Sequence, residues 1–500
     1  MDQSSPALSE SEINDDENPL VEHARKSVDE TIDATPIGYF HRRTVFILGI
    51  GNVADAVEVL AIGYILTIYE AEEGQLSSWE SSSLAASAFL GMLFGGLTSG
   101  VCSDKFGRRP LLMLHLLING CSGIAAAWSP TVWWLILFRF GSGFGVGGTV
   151  TTLFALCVEH LPTKTRGFYV TLLCSFWMVG SILTAATAWI MLGKHPNGDR
   201  IWDVSWRYFA LVVALPSWIC LLLVYVYIPE SARFLASQHR YTEADKVLQY
   251  IHEVNNYSTT SLVLPPSANT SSPLIPPSED LNYTPSFWNR KEVRIIQSLY
   301  RYPLLATTTC LMVTSYCQSF GSYGLATWIT KVYQTIGFSN PFANAFLYAL
   351  ANLPGNVFSA IFIDRIGRHQ LLAMSMSIAS LAALGFAYWA NVPSPSPTAV
   401  VILSCAFNAA ATSAWNAYGV LSAEAFPTAS RGSAMSILNG IGRLGAIGAQ
   451  FVNGFLVGHI SILLLVTSVV MLLGAYAAMR LLTLSRDLIL KNDPSRSIQV

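Results

Sequence analysis

Charge is what this chain has little of. Asp, Glu, Lys and Arg make up 12% of its 500 residues, hydrophobic residues make up 52%, and mean hydropathy is +0.44. Soluble domains carry about a quarter charged residues, so the class indicated is an integral membrane protein. Other absences narrow the function. There is no P-loop, which argues against direct drive by ATP. Neither a zinc-ligand spacing nor a nucleophile elbow occurs, so no metal, no other cofactor and no enzymatic activity are expected. All eight cysteines fall within or at the edge of apolar runs, which leaves no disulfide framework in exposed loops. The first 35 residues are acidic and polar and lack the apolar core of a cleavable signal peptide. A net charge of −2 gives no reason to expect nucleic acid as a partner.

What is present is a series of apolar runs, each long enough to cross a bilayer core of roughly 20 residues of helix. They lie near 44–68, 82–103, 110–128, 131–158, 168–192, 206–228, 303–333, 344–363, 371–390, 398–426, 433–457 and 460–482. The fold class expected is an all-α membrane protein, with twelve transmembrane helices in two six-helix pseudo-symmetric halves. The divisions expected are a disordered acidic cytosolic tail (1–43), an N-terminal half (44–232), a cytosolic linker loop (233–300), a C-terminal half (301–482) and a cytosolic tail (483–500). Of the 29 Lys and Arg, only Lys194, Arg200, Arg207 and Lys331 fall in the alternate loops, and Arg139 and Arg443 fall in mid-span. The other 23 gather on the side of both termini, which places both termini in the cytosol. Three glycosylation sequons, at Asn256, Asn269 and Asn282, lie in the linker and are silent if it is cytosolic.

The halves are related by a repeat. "SDKFGRRP" from Ser103 matches "IDRIGRHQ" from Ile363 and aligns Asp104 with Asp364. "EHLPTKTRG" then matches "EAFPTASRG" and aligns Glu159 with Glu424 and Arg166 with Arg431. Two motifs recurring in order at nearly one offset indicate duplicated halves, as in many secondary transporters. The glycines suit tight turns, the arginines hold those turns on the cytosolic side, and this chemistry reads first as a gating scaffold.

Ionisable side chains within spans are costly and face a cavity or one another. Asp55 and Glu58, three residues apart in span one, share a helix face. Arg139 lies inside span four. Arg443 lies twelve residues past Arg431, about 18 Å along a helix and too deep for easy snorkelling. His115 in span three reads as a hydrogen-bonded core histidine, and the glycines of span four read as helix packing.

These segments resemble the major facilitator superfamily. "GVCSDKFGRR" is similar to its signature between helices two and three, with Gly100, Asp104, Gly107, Arg108 and Arg109. "RFGSGFGVGG" resembles its helix-four motif, and "PESARFL", with Glu230 and Arg233, resembles the motif ending helix six of sugar porters. In the second half Asp364, Gly367 and Arg368 take the corresponding places. "ADAVEV", "LCSFWMVG", "SWRYF", "SYGLATW" and "SAWNAYGVLSAEAFP" resemble the synaptic vesicle glycoprotein 2 and related-protein family, over about residues 44–480. Two features depart from the vesicle glycoproteins: the connection between spans seven and eight is short, and Gly419 stands where some members carry an acid.

The resemblance implies that helices one and four line a central cavity, where Asp55 or Glu58 takes a proton and releases Arg139, with Asp55 slightly preferred. It also places Trp177, Tyr323, Trp415 and Asn416 around the pocket, a platform suited to a flat ring or a sugar face, and Arg443 there can meet an anionic solute. The function expected is a monomeric secondary transporter of a small polar organic solute, coupled to protons and embedded in a lipid bilayer. The alternatives are a facilitative sugar carrier and a non-transporting receptor or trafficking protein of the same fold. Plasma membrane and internal vesicle fit equally.

Overall fold

The computed structural model describes residues 28–193, 201, 202, 204–238, 240–255, 297, 299, 300, 304–392 and 396–492; of these, the side chains of 101, 104, 428, 429 and 482–492 are not described. The first group of helices is α1 (Tyr39–Glu72), α2 (Ser78–Phe106), α3 (Arg108–Ala127), α4 (Val132–His160), α5 (Thr163–Leu192) and α6 (Trp206–Tyr227). Two short helices follow, α7 (Ala232–Ser237) and α8 (Tyr241–Val254). The second group is α9 (Leu304–Ile336), α10 (Pro341–Leu350), α11 (Asn352–Ile366), α12 (Arg368–Asn391), α13 (Pro397–Glu424), α14 (Thr428–Leu456) and α15 (Ile460–Asn492).

Local chemistry sets the boundaries. Ser77 and Glu80 form a capping box at the start of α2, with Ser77 Oγ accepting from the Glu80 N–H at 3.2 Å. Gly107 separates α2 from α3 at φ +99°, and Gly367 separates α11 from α12 at φ +91°, so both repeated loops use a left-handed glycine. α10 and α11 form one span broken at Ala351; Pro354 lacks the N–H that the Leu350 carbonyl would otherwise receive.

Among the described residues, ten segments are long and apolar enough to cross a membrane. The remaining two of the twelve expected spans are α9 and α14, which are long but rich in Ser, Thr, Gly, Asn and Gln. Both stand at the seams between the helix groups, α9 against α1 and α14 against α2.

Three expectations need correction. The tail assigned to residues 1–43 is helical at residues 28–34, because Val28 and Ile32 bury against Ala232, Leu235, Ala244 and Leu248. Asp29 also pairs with Arg233 at 2.6 Å, and Asp33 Oδ1 accepts from the Thr163 N–H at 2.8 Å. That N–H holds the Asp33 carboxyl below its usual range. The linker assigned to 233–300 contains α7 and α8, and α8 buries Ala244, Leu248 and Ile251 along one amphipathic face. Its middle, with Asn256, Asn269 and Asn282, lies outside the described residues. At the other end, α15 continues to Asn492, past the boundary placed at 482.

Helices α1–α6 pack on one another, as do α9–α15, and the groups meet along α2 with α14, α1 with α9 and α5 with α10. These seams close at the end away from the basic loops. There Glu70 pairs with Lys331, Tyr64 stacks on Phe342 at 6.3 Å, Trp189 stacks on Phe346 at 5.4 Å, and Trp79 lies 5.3 Å from Phe451. α1 and α9 touch backbone to backbone, since a Cβ on Gly63 would stand 2.1 Å from the Thr327 carbonyl oxygen. At the basic end, by contrast, Gly100 of α2 and Gly432 of α14 face open space.

Gly63→Val is therefore expected to hold the sealed end apart, at a cost of about 1–3 kcal/mol in stability. The check is labelling of Phe451→Cys by a membrane-impermeant maleimide, which should rise several-fold in the Gly63→Val background; unchanged labelling would contradict the closure described here.

Candidate functional site

Asp55 and Glu58 of α1 are buried at 0% and 2% exposure, and Arg139 of α4 is buried at 0%. Arg139 Nη1 donates to Glu58 Oε1 at 2.6 Å. Glu58, not Asp55, is thus the acid that holds Arg139. Three residues on a helix leave about 60° between side chains, and the two carboxylates use that angle to meet different neighbours. Glu58 Oε2 stands close to Gly123 of α3, inside the first helix group. Asp55 makes no hydrogen bond, and the charges that bear on it are Arg443 of α14 and Glu58. Arg443 belongs to the other group of helices, so part of the charge acting on Asp55 comes from across the interface.

Arg443 is half-buried and sits over the Tyr323 ring at 5.7 Å. Around Tyr323 the structure gathers Trp177 of α5 at 6.4 Å, Trp415 of α13 at 5.9 Å and Phe89 of α2 at 5.3 Å. Four residues singled out in the sequence therefore converge on one box at the meeting of the two groups. Phe89 was not among them, since nothing distinguishes one Phe within an apolar run. Trp177, Tyr323, Trp415 and Arg443 are partly exposed, so the box is open where Asp55, Glu58 and Arg139 are closed. It can hold a flat ring by stacking and an anionic group by the guanidinium.

Asn416, next to Trp415, has its amide engaged along the same seam. Its Nδ2 donates to Asn356 Oδ1 at 2.7 Å and Ser359 Oγ at 2.6 Å, joining α13 to α11. One turn away Thr412 Oγ1 donates to Asn352 Oδ1 at 2.6 Å, and Asn352 Nδ2 in turn donates to Ser181 of α5 at 3.2 Å. Asn416 belongs to this polar ladder, and its amide is already engaged there. Asn residues recurring within spans are the signal that could have revealed the ladder.

The repeated loops form matching networks at the basic end. Arg108 Nε meets Glu159 Oε1 at 3.0 Å, and Arg368 Nε meets Glu424 Oε2 at 3.2 Å. Arg166 Nη2 donates to the Leu161 carbonyl at 3.4 Å, and Arg431 Nη2 donates to the Phe426 carbonyl at 3.5 Å. Asp364 adds a 3.5 Å contact to Arg368. The first network is more elaborate: Glu230 accepts from the Arg108 and Arg109 N–H groups, each at 3.2 Å, and Arg233 Nη1 donates to the Val158 carbonyl at 3.2 Å. Burial pushes the Glu230 carboxyl up, and these backbone donors hold it down. Gly107 leaves room for this carboxylate, since a Cβ there would meet Glu230 Oε2. Gly100 contacts nothing in this arrangement, and the Asp104 side chain lies outside the described ones. Span four packs as expected: Cβ atoms on Gly143 and Gly147 would stand 2.1 and 2.2 Å from carbonyl oxygens of α2.

The closed Glu58–Arg139 pair predicts a pattern of stabilities. Arg139→Met alone leaves a buried carboxylate unpaired and should cost roughly 3–5 kcal/mol, whereas Glu58→Leu with Arg139→Met together should come close to wild type. Thermal unfolding in detergent checks this, and additive single losses would contradict it.

A family model described as sugar (and other) transporter matches residues 35–483. The chain is 25% identical over 585 aligned residues to synaptic vesicle glycoprotein 2C of Rattus norvegicus, covering 89% of this chain and 78% of that protein. It is 25% identical over 462 residues to the niacin transporter NiaP of Acinetobacter baylyi, covering 89% and 96%. Against organic cation/carnitine transporter 7 of Arabidopsis thaliana the identity is 25%, with 85% and 87% covered. In fold it is similar to the D-xylose-proton symporter, with TM-score 0.65, 19% identity and coverage of 88% and 96%. It is likewise similar to the partially occluded inward-open form of the xylose transporter XylE from E. coli, with TM-score 0.63, 18% identity and coverage of 89% and 99%. With its apolar helices in two groups and its repeated loop networks, this multi-pass membrane protein belongs to the sugar (and other) transporter family of the major facilitator superfamily, as a secondary transporter.

Proposed function

We propose that the protein carries a small monocarboxylate with a flat ring, together with a proton, by alternating access. The observation that carries this reading is Arg443: a mid-span guanidinium, partly exposed, seated on Tyr323 in a box completed by Trp177 and Trp415. A neutral sugar gives such a charge nothing to do, whereas a carboxylate answers it. The niacin transporter among the relatives is named for a solute of this kind, a ring bearing one carboxyl group.

The mechanism follows from charge balance. On this reading Asp55 is ionised in the empty form, where the charge of Arg443 in the other helix group acts on it. An arriving carboxylate pairs with the guanidinium, and Asp55 then faces two negative neighbours, the solute and Glu58. Repulsion favours its protonated form, so proton and anion are bound together. The loaded interface is then neutral, and the two helix groups can rock without moving net charge through lipid. Glu58 and Arg139, already neutral as a pair, stay within their own group. The basic loops and both termini are assigned to the cytosol by the positive-inside rule, and the form described here, sealed at the opposite end, is then inward-facing.

Proteoliposomes loaded for nicotinate counterflow, and others given an inward-directed proton gradient, test the reading. Arg443→Gln should weaken nicotinate binding roughly ten- to hundredfold, the worth of one charged hydrogen bond. Asp55→Asn should retain much of the counterflow and lose gradient-driven accumulation. Normal nicotinate transport by Arg443→Gln, or a preference for xylose over every carboxylate offered, would overturn it.

A further inference from the structure

Much of the seal at the end away from the basic loops rests on half of one span. Phe342 of α10 stacks on Tyr64 of α1, and Phe346 of α10 stacks on Trp189 of α5. By connection the ten residues of α10 belong to the second helix group, yet they pack most extensively on α5 of the first. Their packing on α9, α11 and α13 of their own group is lighter in each case.

The same half-helix is set off at both ends. Gly337 turns the chain before it at φ +95°, and Asn340 caps it afresh, with Oδ1 accepting from the Ala343 N–H at 3.1 Å and Pro341 in its first turn. At its other end the helix is interrupted at Ala351, and Pro354 offers the Leu350 carbonyl no N–H. Bending there breaks no bond between those two residues, and hinges are built from a few positions of this kind. The Tyr348 carbonyl, beside the interruption, accepts from Asn408 Nδ2 of α13 at 2.7 Å, which fixes the base of α10. Beyond the interruption α11 is fastened to α13, by Asn352 with Thr412 at 2.6 Å and by Asn356 with Asn416 at 2.7 Å.

One side of the break is thus bonded to its own group, and the other is seated on the opposite group by aromatic stacks. Ring contacts can part without leaving a buried hydrogen-bonding group unpaired. Two further contacts of the seal, Glu70 with Lys331 and Gly63 against Thr327, join α1 to α9 and do not involve α10. We propose that α10 is a hinged lid: it lifts from α1 and α5 by turning at residues 351–354, while α11 and the rest of the second group keep their places. A local opening of this kind admits solute from the sealed side before the two groups rock. The inference stands whichever solute the cavity takes.

Asn344 stands seven residues before Ala351, about 10 Å along the helix, so a turn of about 20° at the hinge displaces it roughly 3–4 Å. Double electron–electron resonance on the full chain in nanodiscs reads this, with spin labels on noncanonical keto side chains that leave the native cysteines alone. One labelled pair, Asn344 with Ile402 of α13, lies within the second group, and the other, Trp133 of α4 with Ile402, spans the two groups. Tyr64→Ala with Trp189→Ala removes both seats and leaves α10 itself unaltered. The Asn344–Ile402 distance should then shift by about 3 Å or more while the Trp133–Ile402 distance holds. Adding Pro354→Ala, which restores the N–H, should reverse most of that shift. If the double variant does not fold, Trp189→Ala alone gives the same contrast. An Asn344–Ile402 distance unmoved by loss of the seats would overturn the lid, whether or not the groups separate, and a shift undiminished by Pro354→Ala would overturn the hinge. In proteoliposomes Pro354→Ala alone should slow nicotinate counterflow several-fold, and an unchanged rate would overturn the lid. Absence of nicotinate exchange in the wild type would overturn the proposed solute instead, and the distances then decide the lid.

Discussion

A charge within a bilayer has to be neutralised, and the centre of this protein is arranged around how four charges do it. Glu58 and Arg139 cancel within one group of helices, bonded at 2.6 Å and closed to solvent. Asp55 and Arg443 are divided between the two groups. The first arrangement survives any relative motion of the groups, while the second does not, because separating them strands each charge. On the proposed reading, the balance across the interface depends on what occupies the space between, and that dependence couples the solute to the proton.

The loop networks complement this. Arg108 with Glu159 and Arg368 with Glu424 are the same contact built twice, each held by a left-handed glycine at the preceding turn. They are not equally deep. The first pair is 17% exposed at each side chain, while the second is 39% and 52% exposed. Glu230, Arg233 and the segment at residues 28–34 add to the first network only. One group of helices is thus firmly tied at its basic end, and the other is tied lightly.

Much of this was legible in the sequence, for identifiable reasons. Apolar runs marked the spans because lipid demands them, and the repeat gave the pairing of Glu159 with Glu424 in advance of any geometry. Trp177, Tyr323 and Trp415 were legible through the family resemblance and Arg443 through its depth within a span, since no spacing along a chain brings four distant helices together. Partner choice was not legible. Asp55 and Glu58 were read as sharing a face and an arginine, but α1 has neighbours on several sides, and 60° sufficed to send one acid inward and the other to the interface. The partners that engage the Asn416 amide, Asn356 and Ser359, sit on another helix, so the sequence could not supply them. The α8 pattern of Ala244, Leu248 and Ile251 was available and was passed over amid a polar linker.

The central claim is that a proton on the acid facing Arg443 and an anion on Arg443 are bound as one event. Proton uptake on mixing purified protein with nicotinate, followed by an indicator dye in weakly buffered detergent solution near neutral pH, measures this without transport. The account predicts about one proton taken up per nicotinate bound, absent in Asp55→Asn. Binding with no proton uptake, or uptake that persists undiminished in Asp55→Asn, would contradict it.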